Sequence, residues 1–103
     1  MTAKQYEVYW VDLNPTRGSE MNKIRPCVIV SPDDMNQYLN TIIVAPITST
    51  KRSYIFRANC NIGYIALDQL RTVDKTRVKD FIQKLNTYHV LEVKRILYEM
   101  LVE

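Results

Sequence analysis

Apolar positions along this chain alternate or cluster in short runs, and only the last segment changes period. Glu7–Leu13 (EVYWVDL) is rich in β-branched and aromatic residues and stops at Asn14-Pro15, which predicts a strand entering a loop over Asn14–Lys23. That loop holds Gly18, one of 2 glycines in the chain, where a positive φ or a close approach by a ligand is possible. Arg25-Pro26 opens a second strand, Cys27–Val30, whose unbroken apolar run predicts burial on both faces. Pro26 restricts its pairing, because it has no N–H. Ser31-Pro32-Asp33-Asp34 predicts a helix start with Ser31 as N-cap and two carboxylates at the positive end of the dipole, and a short helix to about Tyr38 follows. Thr41–Ile47 predicts a third buried strand that delivers Thr48-Ser49-Thr50 and Lys51-Arg52 at its exit. Tyr54–Ala58 and Tyr64–Leu67 predict a hairpin around Asn59–Gly63, with extended stretches near Leu70–Val73 and Phe81–Leu85. Val90, Val93, Ile96, Leu97, Met100 and Leu101 then recur at intervals of three and four, the stripe of an amphipathic helix closing over a sheet.

Composition narrows this to one α+β, mainly antiparallel β domain spanning residues 1–103, since 103 residues leave room for a single ordinary core and no linker, repeat or low-complexity tract interrupts them. A core of this size gives modest stability unless association buries more, so a dimer is expected. Cys27 and Cys60 form no CxxC pair, and neither a disulfide framework nor a zinc site is predicted. No apolar run approaches the length of a membrane span and the N-terminus does not read as a signal peptide, so a soluble, cytoplasmic protein without membrane contact is expected. The net charge of +3 is too small to identify a nucleic-acid binder, but residues 51–80 carry seven basic against three acidic side chains. The basic excess therefore sits in the middle third, where a phosphate backbone would be attracted.

The candidate chemistry is limited by what is missing. One histidine, His89, excludes mechanisms that need two imidazoles and metal sites built mainly of histidine, and its place near the start of the terminal helix reads as structural or exposed. Cys27 and Cys60 read as small strand hydrophobes, not nucleophiles, because neither has an activating base nearby in sequence. No Asp/Glu spacing matches a metal-dependent nuclease, so no metal and no cofactor are predicted. Polar clusters at strand exits remain: Gly18-Ser19-Glu20, Arg25, Thr48-Ser49-Thr50 and Asp68–Thr72. From residue type alone these are either ordinary turns or a site on a rigid scaffold.

Three ordered runs, Tyr9–Asn36 (YWVDLNPTRGSEMNKIRPCVIVSPDDMN), Ile43–Thr50 (IVAPITST) and Ile65–Arg77 (IALDQLRTVDKTR), resemble the MazF/PemK toxins of bacterial toxin–antitoxin systems, which are ribosome-independent, sequence-specific endoribonucleases. The likeness spans nearly the whole chain. One departure is that the family's usual Gly-Asp before the first strand is here Tyr6-Glu7; another is a short hairpin at Asn59–Gly63. The resemblance implies a compact antiparallel SH3-like barrel with short helices. It also implies a homodimer with an RNA groove along the subunit interface, and an acidic, partly disordered antitoxin that occupies the groove.

By the same resemblance, Arg25 and Thr48 match the family's catalytic pair, and Ser19, Glu20, Asn36, Ser49, Gln69 and Arg71 occupy RNA-groove positions. The implied reaction is metal-independent transesterification of single-stranded RNA, with the ribose 2′-OH attacking the adjacent phosphorus to leave 2′,3′-cyclic phosphate and 5′-OH ends. A guanidinium suits stabilisation of phosphorane oxygens and is a poor general base, so the base stays unassigned, with Glu20 a weak candidate. The rival readings are a non-catalytic toxin of the same fold that binds DNA gyrase, and a small SH3-like nucleic-acid-binding module without activity.

Overall fold

A computed structural model describes residues 3–14, 24–49 and 57–102. Among these residues, seven antiparallel strands form one sheet: β1 (Glu7–Asp12), β2 (Ile24–Ile29), β3 (Thr41–Thr48), β4 (Arg57–Cys60), β5 (Gly63–Ala66), β6 (Arg71–Asp74) and β7 (Val78–Lys84). Neighbours follow the order β4-β5-β3-β2-β1-β7, with β6 paired to β3. Helix α1 (Asp33–Tyr38) lies between β2 and β3, and α2 (Thr87–Leu101) ends the fold. The arrangement agrees with the expected mainly β, barrel-like fold, although the sheet is not closed into a barrel.

β3 is the centre of the sheet, which accounts for its unbroken apolar sequence. One edge pairs with β2 through Val44, Ala45 and Pro46; the other pairs first with β6 (Thr41–Val44) and then with β5 (Ile47 and Thr48). Both edges of β3 are therefore paired, and alternate side chains enter two separate cores. Ala45 and Ile47 join Val28, Ile65, Leu67 and the fully buried Val93 and Ile96 of α2. Ile42 and Val44 face the other way, joining Val11, Cys27, Ile29 and Val73. Burying Val93 and Ile96 favours docking of α2 by about 1.5–3 kcal/mol each. The helix starts at Asn86, whose side chain accepts from His89 N–H at 2.9 Å.

Local differences from the sequence reading have local causes. β2 begins at Ile24, not at Cys27, because Asp12 and Val11 of β1 pair with Ile24 and Arg25. The N-cap position of α1 is Pro32 and carries no side-chain cap, since Ser31 is used elsewhere: its hydroxyl donates to Asn36 Oδ1 at 2.5 Å and accepts from Ile43 N–H at 3.0 Å. The hairpin is tighter than expected, with Cys60 paired to Gly63. Before β1, Tyr6 holds a left-handed φ of 69°. Its N–H donates to Ile29 O at 2.7 Å and its carbonyl accepts from Leu85 N–H at 3.0 Å.

Candidate active site

Two prolines shape the place where β2 and β3 part. Cys27 pairs with Pro46, and beyond that pair the ladder stops, as neither Pro46 nor Pro26 has an N–H to contribute. Two steps further along the same register, Arg25 and Thr48 are corresponding positions on the two strands. Both share the side-chain parity of Cys27 and Val44, so they lie on the face opposite α2. Arg71 reaches that face from β6, where it is paired with Val44. The sheet thus brings Arg25, Thr48 and Arg71 onto one face from three strands.

The Cys27 thiol reports on the electrostatics there. Burial pushes its pKa up to about 12, while the positive charges of Arg71 and then Arg25 pull against that rise. Its Sγ donates to the Arg25 carbonyl at 3.6 Å. Cys27 and Cys60 are both buried, and burial also raises the Cys60 pKa, in keeping with their reading as strand hydrophobes. Thr48 is buried, and Arg25 is half-buried, its Nε having no hydrogen-bond partner among the described residues. A buried N–H without an acceptor costs about 1–3 kcal/mol. Among the described residues, no three His, Cys, Asp or Glu side chains lie together.

The other sequence-predicted positions divide. Ser49 is exposed directly after Thr48, and Gln69 is half-buried in the 3-10 turn Leu67–Gln69, two residues before Arg71. Ser19, Glu20 and Gly18 lie outside the described residues. Asn36 is the correction: expected on a groove, it is 1% exposed, and its amide donates to Ala3 O at 3.3 Å and Ser31 O at 2.9 Å. An amide fully committed inside the fold has nothing left to offer an RNA.

Sequence reasoning passed over three neighbours of the site. Arg57, whose side chain is 4% exposed, forms a two-pronged ion pair with Asp68 at 3.0 and 3.3 Å, which ties β4 to the turn that carries Gln69. Tyr64 of β5 is paired with Thr48 and with Asn59 of β4, so these three form a row across the sheet. Gly63, before Tyr64, holds φ +150°, and a Cβ built on it would lie 2.7 Å from Thr48 O. The second of only two glycines, next to a predicted turn, was the signal available for it.

Residues 4–101 match the family described as PemK-like, MazF-like toxin of type II toxin-antitoxin system. Endoribonuclease MazF of Staphylococcus epidermidis is 35% identical over 101 residues, covering 88% of this chain and 84% of that protein. The protein of the same name from Staphylococcus saprophyticus matches to the same extent, 35% over 101 residues. Among solved structures, MazF from Deinococcus radiodurans aligns with a TM-score of 0.87 at 21% identity, covering 100% of this chain and 99% of that one. A mycobacterial endoribonuclease in complex with its cognate antitoxin aligns with a TM-score of 0.83 at 19% identity, covering 97% of this chain and 95% of that one. The structural matches, at these identities, speak to the fold.

Proposed function

The chain belongs to the PemK-like, MazF-like toxin family of type II toxin–antitoxin systems, and from that premise we propose that it is an endoribonuclease toxin acting on single-stranded RNA without a metal ion. The observation that carries the mechanism is the convergence of Arg25, Thr48 and Arg71 from β2, β3 and β6 onto one face, beside the parting of β2 and β3. Two guanidinium groups and a hydroxyl on one face suit a phosphate group.

In the reaction a base takes the proton of the ribose 2′-OH as its oxygen bonds to the adjacent phosphorus, the bond from phosphorus to O5′ breaks, and O5′ gains a proton; proton exchange with solvent returns the base and the donor to their starting states. The products are a 2′,3′-cyclic phosphate and a 5′-OH. Charge builds on the non-bridging oxygens, where the Arg25 guanidinium and the Thr48 hydroxyl donate, with Arg71 as a second cation. Arg25 also delivers the proton to O5′. Ser49 and Gln69 bind the RNA on either side. Dependence on the 2′-OH restricts cleavage to RNA, and the need for accessible base edges restricts it to unpaired strands.

The proposal includes a homodimer with the RNA groove at its interface, and an acidic antitoxin competing for the same basic surface. Solved structures of a mycobacterial endoribonuclease with its cognate antitoxin and of MazE-MazF from Deinococcus radiodurans support the second partner. The test is incubation with a long single-stranded RNA in EDTA. Cleavage persists, the 5′ ends accept phosphate from a kinase without prior dephosphorylation, and a 2′-deoxyribose at the cut site blocks the reaction. Activity lost on chelation and restored by magnesium would overturn the mechanism; no cleavage under either condition would favour a toxin that acts by binding.

A further inference from the structure

Where the edge strand β4 meets the start of α2, an open cleft of about 390 Å³ is lined by Arg57, Asn59, Tyr88, His89 and Glu92. None of these residues takes part in the cleavage chemistry above. We propose that this cleft is a base-binding subsite, taking one unpaired nucleobase of the RNA strand that crosses the cleavage row. The inference rests on the reading of the chain as an enzyme acting on RNA.

The lining suits a base better than a phosphate. Tyr88 is 72% exposed, and its ring stacks on His89 at 5.7 Å with planes 15° apart, which presents a flat aromatic surface at the mouth of the cleft. A base stacked on such a surface gains affinity whatever its identity. Asn59 is exposed and offers both a donor and an acceptor, while the Glu92 carboxylate accepts. Arg95 bonds Glu92 from the outer side and keeps it ionised, ready for an amino or ring N–H. Arg57, the one cation of the lining, is already held by Asp68 through Nε and Nη2. With that charge neutralised and a carboxylate opposite, a phosphate gains little here. Tyr88 projects from the first turn of α2, but it is the aromatic surface and the base-edge groups, not the helix dipole, that define the ligand.

Position supports the same reading. Asn59 pairs with Tyr64 and Tyr64 with Thr48, so β5 alone separates the cleavage position from the edge strand that lines the cleft. Two strand spacings separate Thr48 from Asn59 by roughly 10 Å, and an RNA strand passing from the cleavage face rounds the β4 edge to enter the cleft on the α2 side. That distance is about three stacked nucleotides at ~3.4 Å each, and fewer in an extended strand. A strand cut at Thr48 reaches the cleft with a base close to the scissile bond.

His89 is the one histidine of the chain, so its imidazole proton resonances report on the cleft without assignment of other residues. The experiment uses the full chain carrying Arg25→Ala, to suppress cutting, and mixed-sequence single-stranded RNA octamers. Binding is followed in parallel by fluorescence anisotropy and by the His89 resonances. We expect saturable His89 shifts that follow the anisotropy isotherm, and a Kd raised roughly 5- to 100-fold by Tyr88→Ala, the loss of one stacked base. Asn59→Ala weakens binding less, and Tyr98→Ala, an exposed tyrosine elsewhere on α2, leaves Kd where it was. RNA binding with unmoved His89 resonances and an unchanged Kd for Tyr88→Ala overturns the subsite and leaves the nuclease reading standing. No RNA binding either by this variant or by the unaltered chain on octamers with 2′-deoxyribose throughout the cut region overturns both.

Discussion

Replacing Gly63 by alanine tests how Thr48 is held. The added Cβ would lie 2.7 Å from Thr48 O, 3.0 Å from Ile47 Cγ2 and 3.3 Å from the Thr48 carbonyl carbon. Carbon and carbonyl oxygen do not normally approach closer than about 3.3 Å, so β3 and β5 must separate by roughly 0.6 Å at Thr48. The backbone of Gly63 also holds φ +150°, which alanine adopts only with strain. Together these terms cost about 2 kcal/mol, and a domain of this size loses ~4–8 °C of Tm per kcal/mol. The Tm of Gly63→Ala should fall by about 8–16 °C in a calorimetric or circular-dichroism melt. Because the displacement falls on the Thr48 backbone, kcat measured well below Tm should also fall by ~10- to 100-fold, given that a 1 Å misplacement costs about 10²-fold. A double-mutant cycle separates positioning from general loosening: on a Thr48→Ala background, Gly63→Ala should lower Tm again but leave the residual kcat almost unchanged. An unchanged Tm would refute the steric argument, and a lowered Tm with full kcat would remove Thr48 from the reaction.

Three other outcomes follow from the same structure. Arg25→Ala and Thr48→Ala should each lower kcat by roughly 10²-fold or more with the fold retained, and Arg25→Lys should recover only part of the loss, because a point charge does not reproduce a two-pronged donor; normal turnover in either alanine variant would exclude that residue. Asn36→Ala should destabilise by about 1–3 kcal/mol in urea titrations by leaving Ser31 and Ala3 groups unpaired, yet keep kcat near normal, whereas a loss confined to RNA binding would return Asn36 to the groove. The buried Cys27 thiol, raised from 9.0 to about 12, stabilises the fold fully below pH 9, and that contribution declines as pH rises towards 12, since only the unfolded chain ionises readily in that window. Urea stability should therefore fall across this range, and less so in Cys27→Ala; a slope identical in both proteins would show that the thiol contributes nothing.

What could be read in advance was whatever depends on neighbours in sequence. The alternation in β1, the continuous apolar run of β3 and the three-and-four spacing of α2 each follow from period alone, and they gave the fold class. Arg25 and Thr48 could be assigned only through the resemblance, although the two prolines that end the ladder beside them were visible. Asn36 misled because a buried amide in a six-residue helix looks in sequence like an exposed one; only its bonds to Ser31 and Ala3 show the difference. The same network took Ser31 away from the cap position predicted for it. The cleft between β4 and α2 was illegible because Asn59 and Tyr88 are far apart in the chain and meet only through the packing of the helix on the edge strand.

The two bonds of Tyr6 bear on when this protein can assemble during its synthesis. Its N–H needs Ile29, which emerges early, but its carbonyl needs Leu85, and β1 itself needs β7 along its outer edge. Contacts between such distant segments form late, and a chain made from its N-terminus must wait for the distal partner. The β1–β2 pair, which carries Arg25, is therefore secured on both flanks only after the C-terminal part has been translated. A growth-arresting nuclease built in this order would stay harmless to the ribosome that is making it until the last strand is in place.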